Sequence, residues 1–430
     1  MAPQPPKPLL RLLNDALAET PPGRTIWVAL SGGLDSSLLL TLAAQVCWDA
    51  HRPLRAIHIN HGLQAAASAF EAHCQTLCDT LGVSLVTANV AVDAQGEGIE
   101  GAARRARYQA FMAHIPAGDT LWLAQHQDDQ AETLLLAALR GSGVRGLAGM
   151  PFCREWQGLT LLRPWLSVSR QTLSDAAHGL SISWCEDPTN RDIAFDRNRL
   201  RHQVMPALQL RWPGAARALA NSAQHAGEAD QLLAAYATEE LATLMRGEHC
   251  MDATLLSQRS LPRQRLLVRT LCKQLALPTP PQKRLESLLA QLGAVNDAQV
   301  KVEWPGVDAR IWQRRLYLMR PLKPLPKWEA EWEGAPGQLT PLGRLEVSLA
   351  PPRRVTLRWR RGGEVVALKE RGRRDVKRLL QERGVPPWER ERLIVVMEGE
   401  LCLGVIQPPA NVLWQAEGVV LASTSTPLKT

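Results

Sequence analysis

At 430 residues the chain exceeds what one hydrophobic core usually organises, so two or three domains are expected. Its net charge of +8 and pI near 9.3 point to a polyanionic partner. Eight scattered cysteines without a C-x-x-C pair exclude a zinc framework or disulfide scaffold, and no run reaches membrane-spanning length or forms a signal-type core, so a soluble, cytoplasmic protein without membrane contact is expected.

A short helix is predicted from about Leu9 to Glu19, ahead of an apolar strand at Ile26–Leu30. That strand delivers Ser31-Gly32-Gly33-Leu34-Asp35-Ser36-Ser37, after which a long apolar helix begins near Leu38. Glycines let the backbone approach a ligand closely, and the unpaired N–H groups of a helix start offer an anion a hydrogen-bonding socket. The expected ligand is a phosphate. Asp35 beside phosphates implies an intervening cation, for which Mg²⁺ is suited; a plain helix-capping turn is the simpler alternative. The spacing is not that of a Walker A loop, since no lysine follows the glycines.

Further strands are predicted at Leu54–Asn60, leading into His61-Gly62, and at Val83–Val90, with a helix over about Ala66–Leu81 between them. This alternation predicts an α/β fold with a doubly wound parallel sheet, which binds ligands at the carboxyl ends of its strands. The stretch Gly98–Tyr108 opens another helix, with Arg104 and Arg107 on one face. A strand at Leu121–Gln125 then delivers His126-Gln127-Asp128-Asp129-Gln130-Ala131-Glu132-Thr133. On a helix His126, Asp129 and Glu132 recur every three residues and share a face, although Asp128 or Asp129 would also serve as an N-cap.

The glycine-rich stretch Arg140–Leu147 reads as a loop able to close over a substrate, and Trp184–Asn190 as a turn. Arg197 to Arg217 holds five arginines and no acid, which suits phosphate contact or an ordinary exposed helix. A catalytic domain over residues 1–215 is expected, then a helical middle domain over 216–320 with a terminal hairpin from Val300–Trp304 and Ala309–Met319. Seven prolines between Pro321 and Pro352 suggest a linker at 321–352. The last part, 353–430, is read as a small α+β domain around a basic helix at Arg374–Glu382, ended by Val385-Pro386-Pro387-Trp388. From Pro351 to Leu380 eleven Lys or Arg stand against three acidic residues, so the basic character is concentrated there.

The loop Ser31–Ser37 resembles the S-G-G-x-D-S loop of the PP-loop ATP pyrophosphatases. Together with His58–Gly62, Gly98–Tyr108, Ala124–Met150, Asp187–Pro206 and Val385–Arg390, it makes nearly the whole chain similar to the tRNA(Ile)-lysidine synthetase family. The resemblance implies ATP as substrate with Mg²⁺ as cofactor, and tRNA(Ile) with a CAU anticodon and free lysine as partners. The wobble cytidine is adenylated on its ring carbonyl oxygen, with release of pyrophosphate. The lysine side-chain amine then attacks the same carbon and expels AMP.

By the same resemblance, Ser31, Gly32, Gly33, Leu34, Asp35, Ser36 and Ser37 hold the phosphates, with Asp35 on the metal. His126, Asp129 and Glu132 face the reacting groups with Arg104 and Arg107 nearby, and Arg197 and Arg201 line the tRNA or intermediate. Lysine must lose a proton, since its unperturbed pKa is about 10.4. Asp129, Glu132 and His126 are all candidates to receive it. Gln125 departs from the family, many members of which carry a second histidine there. Arg371, Arg373, Arg374, Lys377 and Arg378 form a basic surface read as a tRNA contact. The competing readings are another PP-loop tRNA-modifying enzyme and a nucleotide-sensing RNA-binding protein without chemistry.

Overall fold

The computed structural model describes residues 6–60, 67–91, 99–293, 300–368 and 372–423, and the chain divides into two compact units, Met1–Tyr236 and Ala237–Thr430. His61, Gly62, Gly98 and Arg371, together with the side chain of Arg373, lie outside the described residues.

The first unit is built on strands β1 (Ile26–Ala29), β2 (Leu54–Asn60), β3 (Ser84–Asn89), β4 (Thr120–Trp122), β5 (Cys153–Trp156) and β6 (Leu159–Leu162), in the spatial order β3-β2-β1-β4-β6-β5. All neighbours are parallel except the β5–β6 hairpin at the edge. The chain lays down β1, β2 and β3 in one direction and then returns to place β4 on the other side of β1. The topological switch therefore lies between β1 and β4, where such sheets open a crevice at their carboxyl ends.

Alternation along β1 explains why the sheet is covered on both faces. Ile26 and Val28 pack with residues of α1 (Lys7–Ala18), α2 (Leu34–Asp49), α3 (Ala67–Leu81) and a later helix at Arg170–Gly179, while Trp27 joins Phe111 of α4 (Ile99–His114) and Ile115 just after it on the other side. Helix α5 (Gln127–Leu139) follows β4 closely, and the glycine-rich stretch after it folds in part into a short helical turn, Val144–Leu147, instead of remaining a loop throughout. The side chain of Gln130 brackets Met150, donating from Nε2 to its carbonyl and accepting from its amide through Oε1, both at 2.7 Å, which anchors the end of this stretch.

The arginine-rich segment is a continuous helical run made of Asp196–Arg199, a π-helical turn at Leu200–Val204 and Met205–Arg211. Pro206 has no N–H to give and would crowd the carbonyl four residues back, so the wider π turn just before it relieves both demands. A long helix, Ala215–Leu244, then carries the boundary between the units.

In the second unit the middle region is not purely helical. Helices Leu261–Gln274 and Gln282–Ala290 pack on a five-stranded antiparallel sheet ordered 245–247, 250–252, 315–319, 307–312, 300–304. The predicted strand Ala309–Met319 is two strands joined by a tight turn at Gln313 and Arg314, both with positive φ (45° and 58°). The mirror-image turn fits hairpin twist but normally advertises itself with Asn or Gly, and neither residue does.

The proline-rich segment is likewise no linker. Glu329–Trp332 pairs with Val355–Arg358, and Val347–Ala350 pairs with Val420–Ser423, so the segment supplies strands to the C-terminal β-structure. Its basic helix spans Val376–Glu382, capped by Asp375, while Arg374 lies on the strand before it.

Candidate active site

Two chain segments meet at the switch point: the glycine loop after β1 and His126 at the end of the segment following β4. The loop is pre-shaped by its own serines. Ser36 Oγ accepts from the Ser31 amide at 3.1 Å and donates to the Gly33 carbonyl at 3.1 Å, and the two hydroxyls of Ser31 and Ser36 lie 2.9 Å apart. Gly32 has φ +84°, and a Cβ there would lie 3.1 Å from the Phe70 ring and 3.2 Å from Cys74 Sγ. Only glycine fits that backbone without strain. The Gly32 carbonyl is held by the amide of Cys185 at 2.9 Å. Gly33 caps the 16-residue helix α2 without a side-chain hydrogen bond, leaving the helix-start N–H groups for a ligand.

His126 is not on the helical face. It is the N-cap of α5, with extended backbone (φ −131°, ψ −178°), and its amide donates to Asp129 Oδ2 at 3.0 Å. The ring is almost fully buried and sits among three carboxylates, with Nε2 3.8 Å from Asp35 Oδ2 and 3.5 Å from Asp129 Oδ2, and Nδ1 3.7 Å from Asp128 Oδ2. The separations exceed hydrogen-bond contact.

Asp129 and Glu132 do share a face, and that face meets two arginines one helical turn apart. Arg197 Nε donates to Glu132 Oε2 at 2.7 Å and its Nη2 to Asp129 Oδ1 at 3.0 Å. Arg201 Nε donates to Glu132 Oε1 at 2.7 Å, and its Nη2 reaches Glu132 Oε2 at 2.9 Å and Asp129 Oδ1 at 3.2 Å. Glu132 is 1% exposed, so both of its oxygens are engaged in a buried network. Burial works to push the Asp129 carboxyl up, but His126, Arg197, Arg201 and the hydrogen bond from the His126 amide together hold it below the usual range. Asp35 goes the other way: burial, reinforced by Asp129, raises its carboxyl against the opposing pull of His126.

Asp35 Oδ1 and Ser37 Oγ are buried and have no hydrogen-bond partner among the described residues. A carboxylate with an uncompensated oxygen beside a phosphate-shaped loop fits a hard cation shared with phosphate oxygens. No group of three or more His, Cys, Asp or Glu among the described residues is arranged to hold a metal ion by itself, so the fit is to an ion brought with the nucleotide rather than to a preformed protein cage.

The Arg104 guanidinium lies 5.1 Å from the ring centroid of Tyr108. Surrounding protein, with Arg104 and Arg197, holds the Arg107 guanidinium below its usual range although the residue keeps an exposed surface. One buried cation was not singled out from sequence. Arg163, 1% exposed, donates to Gln125 Oε1 and, at 2.8 Å, to the Pro151 carbonyl. Burial pushes its guanidinium down, partly countered by Tyr108. It ties the end of β6 to the residue preceding His126. Gln125 thus serves as an acceptor for a buried arginine.

The fold and this crevice define a PP-loop domain, and the sequence profile of that domain family matches residues 7–208. Two further profiles match in register behind it, a TilS substrate binding domain over residues 251–317 and a TilS substrate C-terminal domain over 355–417. The tRNA(Ile)-lysidine synthase of Xanthomonas axonopodis pv. citri is 42% identical over 393 residues, covering 89% of each chain. That of Pseudomonas putida is 41% identical over 412 residues, covering 91% of this chain and 95% of the relative. The Pseudomonas aeruginosa enzyme is 40% identical over 431 residues, covering 94% of each. The chain belongs to the tRNA(Ile)-lysidine synthase family.

Proposed function

We propose that this protein is an ATP-dependent ligase that joins lysine to the wobble cytidine of a CAU-anticodon tRNA(Ile), releasing AMP and pyrophosphate. The observation that carries the reading is the convergence of the glycine loop and His126 at one switch point, within a chain related to lysidine synthases along about nine-tenths of its length.

Ser31, Gly32, Gly33, Leu34, Asp35, Ser36 and Ser37 receive the ATP phosphates through main-chain N–H groups and hydroxyls. Asp35 would hold Mg²⁺, and the ion would supply neutralisation of phosphate charge. The target base lies in a single-stranded loop, so bringing it into the crevice costs less than opening a duplex.

The second step needs a proton acceptor for the lysine amine. Glu132 has both oxygens committed to Arg197 and Arg201, and Asp129 accepts from both arginines and from the His126 amide. His126 Nδ1 has no hydrogen-bond partner among the described residues, and Nε2 stands free of hydrogen-bond contact with the facing carboxylates. His126 is therefore assigned as the acceptor, with Asp129 and Glu132 as the frame that holds Arg197 and Arg201 at the crevice. Arg104 and Arg107 supply positive charge for lysine or the nucleotide, and Lys377, Arg378, Arg371, Arg373 and Arg374 of the C-terminal region contact tRNA phosphates. The division of labour follows the chain: catalysis in 1–215, substrate binding in 216–320 and tRNA docking in 353–430. The protein acts in the cytoplasm, where its tRNA and lysine are found.

The test is nucleoside analysis of a tRNA(Ile) transcript after incubation with the protein, ATP and lysine. Lysidine is expected at the wobble position, and its appearance should require cytidine there. An unmodified transcript would overturn the reading.

A further inference from the structure

The arginine-rich helical run that reaches Asp129 and Glu132 ends in a corner that nothing in the chemistry above uses. Leu210 is 89% exposed and Trp212 57% exposed, and Pro213-Gly214 then turn the chain into the helix starting at Ala215. The backbone of the corner is fixed: the Trp212 amide donates to the Leu208 carbonyl at 2.8 Å, and the Ala215 amide to the Trp212 carbonyl at 2.9 Å. The Arg211 guanidinium lies 5.8 Å from the Trp212 ring centroid, so the indole has a cation beside it on a rigid mount. The exposed indole with a guanidinium beside it offers a flat apolar face with positive charge at its edge.

We infer that Trp212 is a stacking platform for an unpaired base of the bound RNA, with Arg211 and Arg217 serving its phosphates. Charge selects this occupant. No acidic residue occurs from Arg197 to Arg217, while Arg199, Arg211 and Arg217 are exposed and form no ion pair among the described residues. Unpaired bases stack on aromatic side chains whatever their identity, and arginines track the backbone beside them. Position agrees. Eleven residues of helix separate Arg201 from Trp212, about 16 Å at ~1.5 Å per residue, which about five stacked nucleotides at ~3.4 Å each would span. A base on Trp212 would therefore lie about five nucleotides along the RNA from one held at Arg201. The inference rests on the reading of the chain as a tRNA-modifying enzyme.

The test uses the full-length protein and two RNA probes, the anticodon stem-loop of tRNA(Ile) and a blunt duplex of the same stem. Trp212→Ala is expected to weaken stem-loop binding about 5- to 150-fold, the equivalent of ~1–3 kcal/mol per stacked base. Trp212→Phe should keep most of the affinity, Trp212→Leu should not, and duplex binding should stay unchanged in all three. Equal stem-loop affinity in Trp212→Ala and the parent, retention by Trp212→Leu, or an equal loss on the duplex would each overturn the platform. Lysidine formation by the unaltered protein is scored separately. If stacking at Trp212 is seen but no lysidine forms, the platform stands and the proposed function fails; if lysidine forms and no Trp212 variant alters stem-loop binding, the function stands and the platform fails.

Discussion

The imidazole of His126 faces the carboxylate of Asp35 across 3.8 Å, joining the cap of one helix to the phosphate loop of another. Burial raises the Asp35 carboxyl above its usual value, so the native chain binds a proton there more readily than the unfolded chain does. Stability from this group consequently falls as pH rises from about 3.9, the unfolded value, through the raised native value, and at neutral pH the bare carboxylate is a cost.

Asp35→Asn removes that cost together with the proposed metal ligand. Without nucleotide the variant is expected to melt at or above the parent temperature at pH 7, while single-turnover adenylation of tRNA falls by at least about 100-fold, in the range typical for loss of a preorganised electrostatic group. Adenylation at the parent rate would show that Asp35 does not hold the ion.

His126→Ala keeps the backbone amide that Asp129 caps, so the helix start should survive. With the proposed proton acceptor gone, adenylated tRNA should accumulate in single turnover because the lysine step slows more than the first step. Glu132→Ala should behave differently. It strands two arginines of a buried network, at a cost of about 3–5 kcal/mol in denaturant unfolding, and should impair both steps together. Stored intermediate in a fully stable Glu132 variant would transfer the acceptor role to Glu132.

The two loop glycines should respond unequally. Gly32→Ala forces a side chain into a left-handed backbone against Phe70 and Cys74, costing at least about 1–2 kcal/mol of stability. Gly33 has φ −82°, and an added Cβ would meet only Ser31 Oγ at 3.5 Å, so Gly33→Ala should fold normally. Any loss of ATP affinity in Gly33→Ala then measures how closely the phosphates approach that backbone, readable by calorimetric titration.

In the C-terminal region Arg374 is already paired with Glu382 at 3.0 Å, whereas Lys377 and Arg378 are exposed and unpaired among the described residues. Replacing Lys377 and Arg378 with glutamate should raise the KM for tRNA and reduce the magnitude of the log–log salt slope of binding by roughly 0.7–0.9 for each lost phosphate contact. Arg374→Glu should change the slope less, because its charge is partly neutralised already. Identical slopes in all variants would remove this surface from the tRNA contact.

The glycine loop, the parallel sheet and the meeting of loop and His126 were legible because each is written within a few consecutive residues: an apolar strand, a glycine turn, a helix. The three-residue recurrence of His126, Asp129 and Glu132 was legible but misplaced His126, since periodicity cannot tell the extended N-cap from the first helical turn. The partners of Glu132 lie 65 and 69 residues away, and no local pattern announces them. Arg163 stood in view within an Arg-Pro-Trp turn, yet only burial reveals that its acceptors are Gln125 and a carbonyl. In the second unit, three-residue strands at 245–247 and 250–252 are too short for alternation to register, and they hid the antiparallel sheet. The seven prolines between Pro321 and Pro352 all fall in the connections between short strands, and they mimicked a linker because tight connections and linkers are alike rich in proline.

The most direct test of the central claim is a stoichiometric assay with purified protein, ATP, labelled lysine and unmodified CAU-anticodon tRNA(Ile). One AMP and one pyrophosphate should be released for each lysine fixed on the tRNA, with no lysine fixed when ATP or the wobble cytidine is missing. Release of ADP, or cleavage of ATP to AMP without lysine on the tRNA, would contradict the claim.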